Sequence, residues 1–227
     1  MYDPNNPQNQ ISLEHGLGGR VLTRQTTLLD RVLGWLALSL LVTAGGVYTY
    51  LTTGISIPWF LTLILMIGLI FAVQWAVRSR NPLLATPLFI LFAMVEGLFL
   101  GPVIEIYLRI APDAVGNAII GTAGVFVLAA GVVWVTNRSF AAWGKWLLIA
   151  LVVGIVLIIA SFFLPIPLIM LDAFLGIVFV GLTIFDFWRV KAARPGDDNA
   201  LLIAMSLYLD FINIFLILLR IFGGSRR

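Results

Sequence analysis

The sequence predicts an all-α integral membrane protein with seven transmembrane helices, and three observations carry that expectation. Of its 227 residues, 61% are hydrophobic and 11% charged, with a mean hydropathy of +1.05. A soluble domain is nearer half apolar and could not hide so much apolar surface. The apolar residues are gathered into runs of roughly twenty, the length a helix needs to cross the hydrocarbon core. The breaks between runs are short and punctuated by Pro, Gly and Asn, which leaves no room for an inserted soluble domain.

The opening residues, MYDPNNPQNQ, are rich in Asn, Pro and Gln and are expected to be disordered. Residues 1–27 then form a disordered tail, 28–223 a single seven-helix membrane domain, and 224–227 a short basic tail. The first apolar run, Val32–Tyr50, is too long for a signal-peptide core and should stay as an anchor. Trp59–Val77 follows the break from Thr52 to Pro58. Leu83–Leu108 opens after Asn81-Pro82 and carries Ala93, Gly97 and Gly101 at four-residue spacing, which lets two helices approach closely. Pro102, just behind them, is expected to bend or break that helix. Ala114–Val135, Trp146–Leu164, Leu168–Trp188 and Ala200–Phe222 complete the set, separated by Asn137 to Lys145, Pro165-Ile166-Pro167 and Arg194-Pro195-Gly196. Trp59, Trp75, Trp143, Trp146 and Trp188 fall near run ends, where amphipathic rings prefer the interface. No internal repeat is evident, so a transporter built from inverted repeats gains no support.

Orientation follows from the basic residues. An amino terminus in the cytoplasm puts ten of the 14 Lys and Arg residues on the inner side and leaves Arg109, Arg220, Arg226 and Arg227 outside. The tail GGSRR is the misfit, and six spans with one re-entrant run is the alternative to seven. A net charge of +3 therefore reads as topology, and no nucleic-acid partner is expected. There is no cysteine, so thiol chemistry and cysteine-held metals drop out. The single histidine, His15, lies in the tail, which excludes a proton relay or metal site built on intramembrane histidine.

Of the acids within the apolar runs, three call for separate weighing: Glu96, Asp186 and Asp210. An aspartate at a helix centre costs roughly 2.5–3.5 kcal/mol on insertion, and such residues face the bundle interior and tend to carry function. No Lys or Arg occupies the middle of a run, so their partners are span-end arginines, one another through a shared proton, water, or a cation. Asp210 lies about ten residues into the last run, roughly 15 Å deep at 1.5 Å per residue. Helical spacing groups it with Ser206 and Asn213 on one polar stripe of an otherwise apolar helix, continuing through Ile217 to Arg220. A hydrogen-bond anchor with a protonated Asp210 is the structural alternative to a functional role. Asp186 has Thr183 one turn before it and Arg189, a possible charge partner, one turn after. The runs bearing Asp186 and Asp210 are consecutive and antiparallel, so the two carboxylates can meet, share a proton and titrate as one unit. Glu96 is a third candidate along the same path, whereas Glu105 and Asp172 read as span-end residues of the outer side. Calcium takes six to eight oxygens. Asp186 and Asp210 with Ser206 and Asn213 supply only part of that shell, which suits transient calcium contact rather than a tight metal site. No other cofactor is implied.

The segment SLYLDFINIFLILLRIFG, Ser206 to Gly223, resembles the carboxy-terminal signature of the Bax-inhibitor family of transmembrane Bax-inhibitor-motif proteins. EGLFLGPVIEIY in the third run and RVLGWLALSLLVTAGGVY in the first are similar to further, weaker family motifs. Together they extend from about Leu28 to Gly223. The resemblance implies seven helices, with three helix pairs around a central last helix, and a pH-sensitive calcium leak gated by an aspartate pair. By position that pair is Asp186 in IFDF and Asp210 in YLDF, with Glu96 matching the family's acid on the third helix. One departure stands out. Family members often have Thr-Gln after the sixth-span aspartate, where Phe187 and Trp188 stand here. The short tail and absence of cysteine lean toward a bacterial member, in the inner membrane.

The leading expectation is a proton-regulated calcium leak channel whose partners are lipid, calcium and protons. The alternative is a non-transporting regulator of the membrane AAA protease FtsH, with which some bacterial relatives are associated. An enzyme is not expected. The glycine-bearing motif of intramembrane aspartyl proteases is replaced by Tyr208 and Leu209, a rhomboid-type protease lacks its histidine, and both lysines lie in loops.

Overall fold

The computed structural model describes residues 7–136, 138–193 and 199–224, with side chains from Leu28 onward. Seven helices follow one another: α1 (Pro7–Thr53), α2 (Trp59–Arg78), α3 (Pro82–Ile110), α4 (Pro112–Val135), α5 (Trp143–Ala160), α6 (Leu168–Ala192) and α7 (Ala200–Gly224). Each is long and apolar enough to cross a membrane, α1 through its segment Leu28–Thr53. Of the tail 1–27 expected to be disordered, the backbone from Pro7 onward is helical and forms the first turns of α1, whereas residues 1–6 and the basic end at 225–227 lie outside the described residues.

The helix boundaries follow local chemistry. Asn81 caps α3, its side chain accepting the Leu84 N–H at 3.3 Å, and prolines open α3 and α4 where a missing N–H costs nothing. The fifth helix starts and ends earlier than the apolar run suggested, at Trp143 and Ala160. Ser161 to Phe163 turn out of the helix ahead of Pro165, whose ring disfavours helical backbone at Leu164. Pro102 does not break α3, which continues through both Pro87 and Pro102 to Ile110. In lipid, neighbouring helices re-satisfy the backbone groups that a proline frees.

α7 is the axis of the bundle. It packs against α1, α2, α3, α4 and α6, and 56% of its span is buried within the protein against 6% for α5. On one side α1 and α2 each pack on α3, and on the other α4 and α5 each pack on α6. The small-residue spacing of α3 has its expected use. A Cβ on Gly97 would run into the Thr43 carbonyl oxygen and stand 2.9 Å from Gly46 Cα, so α1 and α3 cross backbone to backbone. One turn on, the Tyr50 ring lies over Gly101.

Two polar clamps close the face opposite the start of the α1 span. Arg220 of α7 grips Asp172 of α6 through Nε at 3.0 Å to each oxygen and Nη2 at 2.6 Å to Oδ1. Tyr50 Oη donates to Glu105 at 3.0 Å, and Arg109 donates to the same carboxylate at 2.6 Å. Glu105 and Asp172 are thus span-end acids, each with an arginine partner. On the other face Lys191 of α6 reaches the last turn of α4, donating to the carbonyls of Val133 at 2.8 Å and Thr136 at 3.1 Å. Those are acceptors that a helix end leaves without an intrahelical donor.

Candidate functional site

A carboxylate survives in an apolar helix only where protein replaces water around it. α6 and α7 supply that environment by packing antiparallel, which places Asp186 six residues from the end of α6 near Asp210, eleventh in α7. Both side chains are buried, and their carboxylates are near enough for their charges to interact. Asp186 Oδ1 accepts from Arg189 Nη1 at 2.9 Å, one turn further along α6. The guanidinium is about one-third exposed, so the pair spans from the bundle interior to its rim. Among the described residues Asp186 Oδ2 has no partner at hydrogen-bond geometry, and the Ser206 hydroxyl of α7 is the group that stands beside the carboxylate. Asp210 meets the Thr183 hydroxyl of α6 at 3.4 Å. That hydroxyl also donates to the Phe179 carbonyl at 2.8 Å. With one proton and two acceptors, the shorter contact takes most of it, and Asp210 is held weakly.

An aromatic wall seals the site from α4. Phe126 meets Phe187 edge-on at 5.9 Å and Phe211 at 5.3 Å, and these are the residues that follow Asp186 and Asp210. Trp134 closes on Phe187 from the next turns of α4, at 6.1 Å. The two Asp-Phe dipeptides of neighbouring helices therefore share one ring. Sequence reasoning missed Phe126. The only signal available was the repetition of Asp-Phe in IFDF and YLDF, which does not say which helix covers them.

Glu96 belongs to a different cluster. It is buried on α3 with Oε2 unpartnered, and its charge is felt by Tyr208 on α7. Tyr208 is two residues before Asp210, about 200° around the helix, so Glu96 faces the α1–α3 side and the aspartates face α6. The Tyr208 hydroxyl lies 2.6 Å from Thr43 Oγ1 of α1, which itself donates to Ser39 O at 2.9 Å. Phe89 and Phe92 hold the Tyr208 ring edge-on at 6.0 and 5.9 Å. Asn213 spends its amide on its own helix, donating to Leu209 O at 2.8 Å. Of the residues read from sequence, the structure gathers Asp186, Asp210, Arg189 and Ser206, places Glu96 beside Tyr208 on the other side of α7, and leaves the Asn213 amide bonded to its own helix. Among the described residues no three acidic or histidine side chains assemble as a metal-binding group. Two carboxylates and a hydroxyl cover a minor part of a calcium shell.

The family model described as "Inhibitor of apoptosis-promoting Bax1" matches residues 25–227. This chain belongs to the Bax inhibitor family. The match covers every membrane span and both aspartates. Among bacterial relatives, the inner membrane protein YbhL of Escherichia coli K12 is 31% identical over 220 residues, covering 88% of this chain and 92% of that one. An uncharacterized protein of Deinococcus radiodurans is 31% identical over 225 residues, 91% and 94% of the two chains. One from Chlamydia muridarum is 29% identical over 218 residues, 88% and 92%. The membrane body of this Bax inhibitor family member is thus shared with these relatives nearly end to end.

Proposed function

We propose that the protein is a passive, proton-regulated cation leak of a bacterial inner membrane, with calcium as the permeant ion and Asp186 and Asp210 as its gate. The observation that carries this reading is a pair of buried carboxylates on adjacent helices, left short of static partners, with one oxygen of Asp186 unsatisfied. A purely structural acid pair would have had its oxygens filled, because each unmade bond to a buried group costs about 1–3 kcal/mol.

The pH dependence has a definite sign. With one proton shared, the pair carries a single negative charge, which Arg189 neutralises at 2.9 Å, and the α6–α7 contact closes. As pH rises and the shared proton leaves, a second charge appears with no second arginine beside it among the described residues. Two like charges at side-chain separation repel by a few kcal/mol at an effective dielectric of about 20. The helices separate at the aspartates, or a cation enters between them. Leak therefore increases with pH and shuts off in acid. Ser206 offers a hydroxyl oxygen to a passing ion beside Asp186, and Glu96 a further carboxylate on the other side of α7. No covalent step is required, so the reading is not enzymatic.

The test is calcium entry into proteoliposomes stepped from acidic to mildly alkaline pH, with Asp186→Asn and Asp210→Asn alongside. Flux that rises with pH in the wild type and loses that dependence in either variant supports the gate. Folded protein with no flux above empty liposomes at any pH refutes it. That outcome would favour the protease-linked regulator.

A further inference from the structure

Away from the aspartates, a cleft opens at the face where the α1 span begins. It has a volume of about 730 Å³ and lies between the start of α1, the α2–α3 turn and the start of α7. Three of its walls are arginines: Arg31, Arg78 and Arg80. Asn81, Thr86 and Asn199 add neutral polar groups, and among the described residues no acidic side chain lines it. Among the described residues Arg78 and Arg80 form no ion pair, in contrast to Arg109, Arg189 and Arg220, each of which holds a carboxylate.

The local fold concentrates this charge. The turn Ser79-Arg80-Asn81 joins two spans with no spare residues, and Arg80 sits at φ 53°, in the left-handed region that a side chain adopts at a cost. The turn is also anchored from both sides: Asn81 N–H donates to Ala76 O at 3.0 Å, and the Asn81 side chain caps α3. Across the cleft α7 presents its first turn, Ala200 to Leu202, whose N–H groups have no intrahelical acceptor. Positive side chains and the positive end of a helix thus converge on one volume.

The cleft also lies at membrane-interface depth. Its lining residues come from span ends, Trp35 forms part of its wall, and the neighbouring Leu83 and Leu84 are exposed apolar side chains where acyl chains would run. Basic pockets between transmembrane helices at this level bind anionic headgroups. We propose that this cleft is a binding site for a phosphate anion, supplied by the headgroup of an anionic phospholipid of the adjoining leaflet. Arg78 and Arg80 grip the phosphate oxygens, and the first turn of α7 completes the cradle. The site is independent of the aspartate gate and does not rest on it.

Native mass spectrometry of the full chain in detergent tests it, titrating phosphatidylglycerol against phosphatidylcholine of the same acyl composition. The wild type should retain phosphatidylglycerol preferentially. Arg78→Gln with Arg80→Gln should cut that preference roughly fivefold per arginine, about twenty-five-fold for the pair. Arg109→Gln, at the opposite face, should leave it unchanged, and the double Arg→Lys variant should keep most of it if the fold is intact. Equal retention of the two lipids, or an unchanged preference in the folded double Gln variant, overturns the proposal. Inorganic phosphate, added as competitor, separates the sources. Failure to displace the lipid supports the headgroup, whereas displacement with the same arginine dependence overturns the lipid assignment in favour of a soluble phosphate.

Discussion

Adding one methyl group at Gly97 tests the α1–α3 crossing on which the bundle is built. A Cβ there meets the Thr43 carbonyl oxygen, with Gly46 Cα at 2.9 Å and Thr43 C at 3.0 Å, all of them backbone atoms that no rotamer change can move. The second of these contacts is about half an ångström inside the 3.4 Å at which ordinary contact begins, and the carbonyl is closer still. The two helices must separate, and overpacking of this kind costs about 1–3 kcal/mol. Alanine returns about 0.5–1 kcal/mol through its better helix propensity. The net loss for Gly97→Ala is therefore about 0–2.5 kcal/mol, centred near 1.25, and the central value corresponds to roughly 2–5 °C in midpoint for a chain of this size. The assay is thermal unfolding of purified protein in one detergent, with Gly45→Ala as control. Gly45 is on α1, the partner helix in the crossing, one residue before Gly46, but its Cβ would meet nothing within 4 Å. Gly45→Ala should be neutral or slightly stabilising, and Gly46→Ala should behave like Gly97→Ala because its Cβ meets Met94 O at 2.6 Å. Equal midpoints for Gly97→Ala and Gly45→Ala would refute the backbone-to-backbone crossing.

Three further outcomes are expected. Tyr208→Phe removes the 2.6 Å contact with Thr43, whose own proton still reaches Ser39 O, so the loss should be about 0.5–1.5 kcal/mol by chemical or thermal unfolding. A loss near zero would mean the hydroxyl is equally well served by solvent. Phe126→Leu forfeits two edge-on ring contacts, at 5.9 and 5.3 Å, for about 1–3 kcal/mol, and an unchanged midpoint would show that α4 does not seal the site. Thr183→Val keeps shape and removes the hydroxyl that Asp210 meets at 3.4 Å, so stability should fall by no more than about 1 kcal/mol. A larger loss would mean that Thr183 is the principal support of Asp210.

What could be read from the sequence was what a carboxylate in an apolar run cannot hide. Asp186, Asp210 and the i,i+3 partner Arg189 follow from helix spacing and from the cost of burying charge, and the structure unites them. Gly97 was legible for the same reason, since small residues four apart have one common use in a membrane. Spacing puts Asn213 on the stripe of Asp210 but does not say where its amide donates; it bonds back to Leu209 O at 2.8 Å. Glu96 was grouped with the aspartates because depth can be read from a run, whereas the angle around α7 cannot. The Asp172–Arg220 clamp joins residues 48 apart, and Phe126 reaches the site from a helix packed against α6 and α7. Both depend on tertiary packing, which periodicity within one helix does not encode. The early end of α5 reflects Pro165, a local effect that an apolar count passes over.

The same helix pair treats its buried acids in two ways, and the contrast separates a lock from the proposed gate. Asp172 receives three hydrogen bonds from one guanidinium, at 3.0, 3.0 and 2.6 Å, so both of its oxygens are engaged and its charge is matched. Fourteen residues along α6, Asp186 is held through one oxygen, its other oxygen is unpartnered, and Asp210 has a 3.4 Å contact to a hydroxyl already in use. Breaking a buried pair costs about 3–5 kcal/mol. Because Arg220 is 44% exposed and water screens it, Arg220→Gln should cost less, about 1–3 kcal/mol. That variant should lower thermal stability yet leave any pH dependence of the proposed calcium flux intact, because the lock lies at the opposite end of the α6–α7 contact from the proposed gate. Asp186→Asn should do the reverse, flattening the pH profile with little loss of stability, since it removes a charge that the fold matches only in part. If Arg220→Gln abolished the pH response, or Asp186→Asn unfolded the protein, the two ends would be one mechanical unit and the division between lock and gate would fail.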